Sequence, residues 1–255
     1  MTETASRYPK PITVHSFDVR FDRRSFGEPL SRLRAIPIID SGEPLVDLRD
    51  ACPDVVLRPG CLPFLRKTVA EMVNQVQAAL PPGHKLAVGT GLRTWEMQTE
   101  IRVNVEKSMR EKHPDWSAAS LQRNVNRMVA PLEFKSPPPH TTGAALDVGV
   151  LKPDGESMDF TASEDFWATA PTYLHTLPEH IRDNRRMLIH AMESAGLTNY
   201  VGEWWHWSYG DQGWALRVGS PTACYGSVVL EDAESKRIPE EEKTDAKTVA
   251  EQNSD

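Results

Sequence analysis

The sequence predicts an α+β fold with a central, mostly antiparallel sheet and helices packed at its side. Three observations lead there. One stretch, 63–80, is strongly amphipathic at helical spacing, while three short apolar runs, 85–90, 144–151 and 198–209, have strand length. Helical patterns precede each of the last two runs and do not alternate regularly with strands, as a parallel α/β sheet would require.

Residues 12–62 read as loops and short strands, with Ile36-Pro37-Ile38-Ile39 and Val55-Val56-Leu57 as apolar runs set among prolines. From Pro63 to Leu80, the side chains of Leu65, Val69, Met72, Val73, Val76 and Leu80 share one helical face. Pro63 suits the start of that helix and Pro81-Pro82-Gly83 ends it. Lys85 to Thr90 is a strand around Leu86 and Val88. Gly89-Thr90-Gly91 is no phosphate loop, because neither a Walker lysine nor Rossmann spacing follows. Thr94 caps a helix to about Met109, and Ser117 caps a second to Met128. Ala144 to Leu151 is a buried strand, followed by a turn at Pro153-Asp154-Gly155. Met158 to Leu177 is twenty residues without periodicity, a length typical of a functional wall or lid. Pro178 to Ala195 is a helix facing inward through Ile181, Met187, Leu188, Ala191 and Met192, with Gly196 as its stop. Thr198 to Tyr209 is an aromatic-rich strand broken at Gly202.

Two stretches carry the chemistry. The first runs Pro137-Pro138-Pro139-His140-Thr141-Thr142-Gly143-Ala144-Ala145-Leu146-Asp147, and the second is Glu203-Trp204-Trp205-His206. His140, Asp147 and His206 are candidate zinc ligands: two imidazoles and a carboxylate suit Zn²⁺ and leave a fourth position for water. Glu203 is placed to take that water's proton. Positions seven apart on a strand face opposite ways, so His140 must lie in the preceding loop, folded back by a turn at Gly143. Glu203 and His206 raise the same parity problem, which a bend at Gly202 answers. The competing assignment makes Trp204, Trp205 and Trp207 core and His206 a satisfied core histidine. Arg93, at a strand-to-helix turn, is either a cleft residue or a surface arginine. Glu164 and Asp165 lie in the long loop, where most carboxylates are simply solvated.

Composition sets the frame. The chain has 255 residues, 39% hydrophobic and 25% charged, as in globular proteins, and no run of eighteen apolar residues. Met1 to Pro11 lacks the apolar centre of a signal peptide. Cys52, Cys61 and Cys224 are odd in number without metal-type pairing, so free thiols and a cytoplasmic location are expected. Residues 231–255 hold nine acidic and four basic side chains, which accounts for −5 of the formal −7. That segment reads as a disordered acidic tail, separate from one domain over 1–230, and a chain ending near Val229 is expected to fold and work. A near-neutral body without a basic stripe argues against nucleic acid.

His-x-x-Gly-x-Ala-x-Asp followed by Glu-x-Trp-His resembles the zinc D-alanyl-D-alanine peptidases, which include the vancomycin-resistance-type dipeptidases. His140, Gly143, Ala145, Asp147, Glu203, Trp205 and His206 carry the match. Gly91-Leu92-Arg93 is similar to that family's Gly-Tyr-Arg turn, and Asn184-Arg185-Arg186 sits in the expected order between the two motifs. The resemblance covers roughly residues 84–210 and implies one Zn²⁺ per chain at the sheet face, Glu203 as base, and Arg93 assisting at the scissile carbonyl. Asp165 looks like the carboxylate that receives a dipeptide's free amino group. The implied substrate is D-Ala-D-Ala, a small dipeptide. Rivals are a cell-wall D,D-carboxypeptidase or L,D-endopeptidase, and a zinc-binding module without catalysis. Leu92, Thr94 and Pro138 stand where the family has tyrosine, proline and serine, so the arginine turn and the substrate pocket depart from its pattern. If that serine touches substrate, this protein must do without it or use Ser136.

Overall fold

A computed structural model describes residues 28–162 and 166–239. The chain begins with helix α1 (Leu30–Leu33), strand β1 (Leu45–Asp47), helix α2 (Leu48–Ala51) and strands β2 (Val56–Leu57) and β3 (Phe64–Arg66). Helix α3 (Lys67–Ala79), strand β4 (Lys85–Thr90) and helices α4 (Trp95–Lys112) and α5 (Ala118–Met128) follow. A 3-10 turn, Pro139–Thr142, leads into β5 (Ala145–Leu151), and a second, Phe166–Thr169, precedes α6 (Glu179–Ser194). Strands β6 (Thr198–Asn199) and β7 (His206–Ser208), helix α7 (Gln212–Val218) and a 3-10 turn at Glu234–Lys236 complete the described chain.

The main sheet has the order β2-β4-β5-β7-β6. Its β2–β4 pairing is parallel and the others are antiparallel, so the predicted α+β class and sheet character hold. Strands β1 and β3 form a separate antiparallel pair. One face of the main sheet carries the core. Val69, Met72, Val73 and Val76 of α3, with Leu188 and Met192 of α6, pack on Leu86, Val88, Leu146, Val148 and Val150. Helices α4 and α5 pack on each other instead. In α4 the only buried side chain is that of Gln98, which fits a helix serving as a wall and not as core.

Three expectations change. The α3 helix starts at Lys67, not Pro63, because Phe64 to Arg66 pair with β1 across more than fifteen intervening residues. Leu65 is buried, but as a strand residue. Thr198 to Tyr209 is not one bent strand. It folds into a hairpin that pairs Thr198 with Ser208 and Asn199 with Trp207, and its loop carries Glu203. Gly202 has an ordinary φ. Its lack of a side chain serves Tyr200, whose ring stands 2.7 Å from where a Cβ would be. Helix α7 went unpredicted although it is signalled: Asp211 caps it by accepting from Trp214 N at 2.6 Å, and Gly219 ends it at φ 70°.

The start of the acidic segment is docked. Ile238 N donates to Cys61 O and Gly60 N to Ile238 O, both at 2.8 Å, and the Ile238 side chain packs against the core. Residues 240–255 lie outside the described residues.

Candidate active site

Three prolines bring the chain to His140, and the turn that holds it is made locally. Thr141 Oγ1 donates to Pro138 O at 2.8 Å and Thr142 Oγ1 to Pro139 O at 2.6 Å. Gly143 then leaves the turn at φ 67°, in the left-handed region that favours glycine. A Cβ there would also stand 2.5 Å from the Leu45 side chain. Buried Arg66 clamps this turn from behind, donating through its backbone N to Gly143 O at 2.8 Å and through Nε to Thr142 O at 2.9 Å. His140 is therefore folded back toward β5, as the spacing required.

Asp147 and His206 meet by register, since they are direct partners across the β5–β7 ladder. His206 Nδ1 lies 3.0 Å from Asp147 Oδ1, His140 Nε2 lies 3.2 Å from the same oxygen, and the two ring nitrogens are 3.1 Å apart. Atoms about 2.0–2.1 Å from one tetrahedral centre would be about 3.3 Å apart, so this triangle fits a single ion. His140 Nδ1 is 2.9 Å from Gly91 O. A carbonyl can only accept, so Nδ1 carries the proton and Nε2 offers its lone pair to the triangle.

The electrostatics favour a neutral His140 and an ionised Asp147, while His206, although burial works against its charge, is held above the ordinary imidazole value by Asp147 and Glu203. Burial holds His140 below the ordinary imidazole value, with Arg93 and His206 adding to the effect and Asp147 opposing it. Burial also resists ionisation of Asp147, but His140 and His206 outweigh it and hold the carboxyl well below its usual range. Arg93 serves the second carboxylate oxygen: its Nη2 is 3.2 Å from Asp147 Oδ2, while its Nη1 donates to Gln98 Oε1 at 3.4 Å. Its backbone N donates to His140 O at 3.1 Å. Arg93 is thus a cleft residue.

Glu203 sits in the β6–β7 loop with its N donating to Tyr200 O at 2.9 Å and its O accepting from His206 N at 3.1 Å. Asn199 Nδ2 fastens both ends of this short segment, donating to Glu203 O at 3.0 Å and to His206 O at 2.9 Å. Burial pushes the Glu203 carboxyl up to about 7, with His206 and Arg93 lowering it and Asp147 raising it. No hydrogen bond from a described residue reaches its carboxylate. A carboxyl near 7 with a free oxygen is what a general base at neutral pH needs.

These groups share a cleft of about 500 Å³ whose lining includes Arg93, His140, Asp147, Tyr200, Glu203 and His206. Pro138 lines the cleft; Ser136 does not. Trp205 and Trp167 form its aromatic rim, and Phe166 stacks on Trp205 with ring centroids 4.6 Å apart. Glu164 and Asp165 lie outside the described residues. The 158–177 loop is held by Arg185, a buried guanidinium with no carboxylate partner among the described residues. It donates to Phe160 O, Thr169 O, Pro171 O and Thr172 O at 2.5–3.1 Å.

A model of the peptidase M15 family, described as D-Ala-D-Ala dipeptidase, matches residues 47–225, from β1 to beyond α7. The chain belongs to this family. As an M15 peptidase it is a metallopeptidase, and His140, Asp147 and His206 are a donor set of the zinc-binding kind. It is similar to a D-alanyl-D-alanine dipeptidase of Synechocystis sp., 29% identical over 226 residues, 75% of this chain and 92% of that protein. Among solved structures it aligns with a point mutant of the vancomycin resistance D,D-pentapeptidase VanY from a VanB-type cassette, in complex with Zn(II). That alignment covers 80% of this chain and 98% of the other at 16% identity, with a TM-score of 0.41. Arg66, Asn199 and Arg185 are the M15 site's supporting residues that sequence reasoning missed. Only Arg185, inside the Asn184-Arg185-Arg186 run, carried any signal.

Proposed function

We propose that this M15 peptidase hydrolyses the free dipeptide D-Ala-D-Ala to two D-alanines, with one Zn²⁺ held by His140, Asp147 and His206. The carrying observation is the roughly 3 Å triangle of donor atoms in one cleft with Glu203, on a chain of this family. Zinc in such a site polarises a carbonyl and brings the pKa of a water to about 7. Glu203 accepts that water's proton and returns it to the leaving amine. Burial suits it to both steps, since an ordinary exposed carboxyl is a poor acid at neutral pH. Arg93, already aimed at the ligand triangle through Asp147, donates to the carbonyl oxygen as negative charge develops there. Asp165 pairs with the substrate's ammonium group, a role that rests on the sequence resemblance.

A carboxypeptidase reading is favoured by one observation: the cleft is roomier than two alanines need. The dipeptidase reading is supported by the family description and by the named relative. We place the reaction in the cytoplasm, where Cys52, Cys61 and Cys224 would stay as the free thiols they are here. The deciding experiment loads the protein with zinc and compares alanine release from D-Ala-D-Ala and from its N-acetyl form. A large preference for the free dipeptide is expected. Comparable kcat/KM values select the carboxypeptidase, and zinc binding without release from either overturns the dipeptidase and the carboxypeptidase alike, in favour of an L,D-endopeptidase or a non-catalytic module.

A further inference from the structure

Among the described residues, three arginines line the cleft: Arg93, Arg127 and Arg217. Two are committed. Arg93 donates to Asp147 and Gln98. Arg217 is ion-paired with Glu28 and donates to Thr198 Oγ1 at 2.8 Å and Ser208 Oγ at 2.5 Å. Arg127, in the last turn of α5, makes no hydrogen bond or ion pair with a described residue. It nevertheless lines the cleft that holds the donor triangle, as Tyr200 does. The Tyr200 ring in turn stands edge-on to His206, with centroids 6.2 Å apart.

We infer that Arg127 receives the α-carboxylate of the peptide's C-terminal residue. This rests on the exopeptidase reading above and adds the group that recognises the peptide's end. A carboxylate entering the cleft sheds water and must meet a cation. The other two guanidiniums already face carboxylates, so Arg127 is the one that can answer it with paired N–H donors. Reach is adequate. One residue spans about 3.3–3.6 Å, so the terminal carboxylate lies only about one residue beyond the scissile carbonyl. Ile101, Val105 and Met128 line the same cleft with apolar surface, which strengthens a charge pair formed beside them. A basic residue at the end of α5 also complements that helix's dipole, but such a role affects stability and is indifferent to the peptide.

The test uses the zinc-loaded Glu203→Gln protein, which should bind without turnover, titrated calorimetrically with D-Ala-D-Ala and with its C-terminal amide. The dipeptide should bind between about 10- and 100-fold tighter than the amide. Adding Arg127→Gln should remove that preference by weakening the acid alone, and Arg127→Lys should restore part of it. In the otherwise unaltered enzyme, Arg127→Gln should raise KM for the dipeptide with little change in kcat or in thermal midpoint. Retention of the acid-over-amide preference in Arg127→Gln overturns this assignment alone. Loss of the preference, in a protein that releases no alanine when Glu203 is intact, overturns the hydrolytic reading alone. Failure of the zinc-loaded protein to bind the dipeptide overturns both.

Discussion

Each oxygen of Asp147 has a different duty, Oδ1 toward the two histidines and Oδ2 toward Arg93. Its negative charge is therefore needed on both sides. His140→Ala or His206→Ala should each abolish high-affinity zinc binding, measured by elemental analysis after dialysis against a mild chelator. Zinc retained at one per chain in either variant would remove that histidine from the ligand set. Glu203 is expected to behave oppositely: Glu203→Ala should keep its zinc and lose about 10²–10⁴ in kcat. If the metal is lost as well, Glu203 is a ligand and Asp147 needs another role. The meeting of His140, Asp147, His206 and Glu203 in one cleft was readable because it depends on side-chain chemistry at short spacing. His140 had to sit ahead of the strand, and the Gly143 turn puts it there. Asp165 is the exception, a carboxylate assigned by resemblance and outside the described residues.

At the scale of elements, non-local pairing decided what the sequence could not show. Pro63 is a good helix opener, yet β1 draws Phe64 to Arg66 into a ladder before the helix can begin. The aromatic run of 198–209 looks the same as one strand or as two short ones, because the hairpin is fixed by its pairing with β5. Arg185 was hidden by the expectation that arginines are exposed. Its guanidinium takes four carbonyls from the cleft-wall loop, so Arg185→Met should strand those acceptors. A loss of about 1–3 kcal/mol is expected, the cost of leaving buried neutral acceptors without a donor, and a thermal midpoint lowered by roughly 2–12 °C, with zinc still bound. An unchanged midpoint would show that the loop does not depend on it. Asn199→Ala should lower kcat as well as stability, since it frees the turn that carries Glu203 and leaves Thr172 Oγ1 without the acceptor it donates to at 2.6 Å.

For the whole molecule, the acidic segment divides at a different place from its composition. A chain ending at Val229 loses the Ile238 contact and two backbone hydrogen bonds to Gly60 and Cys61, whereas one ending at Pro239 keeps them. The shorter chain should melt several degrees lower by differential scanning calorimetry. Equal midpoints would show that the docking is energetically idle. Nothing in a stretch rich in Glu, Asp and Lys announces that a single isoleucine will find the core, because one apolar residue gives no periodicity to read.

The pairing of Asp147 with His206 across the sheet also says where the gene can change length. Codons added between 152 and 158, or after α7, lengthen loops at small entropic cost and leave the donor triangle intact. One codon added between Gly143 and Asp147 turns Asp147 to the opposite face of β5. One added between Glu203 and His206 separates the proposed base from the proposed ligand that Asn199 holds beside it. Members of this lineage should therefore vary freely in loop length while keeping both short spacings fixed, and a single-codon insertion in either should cost activity as completely as loss of a ligand.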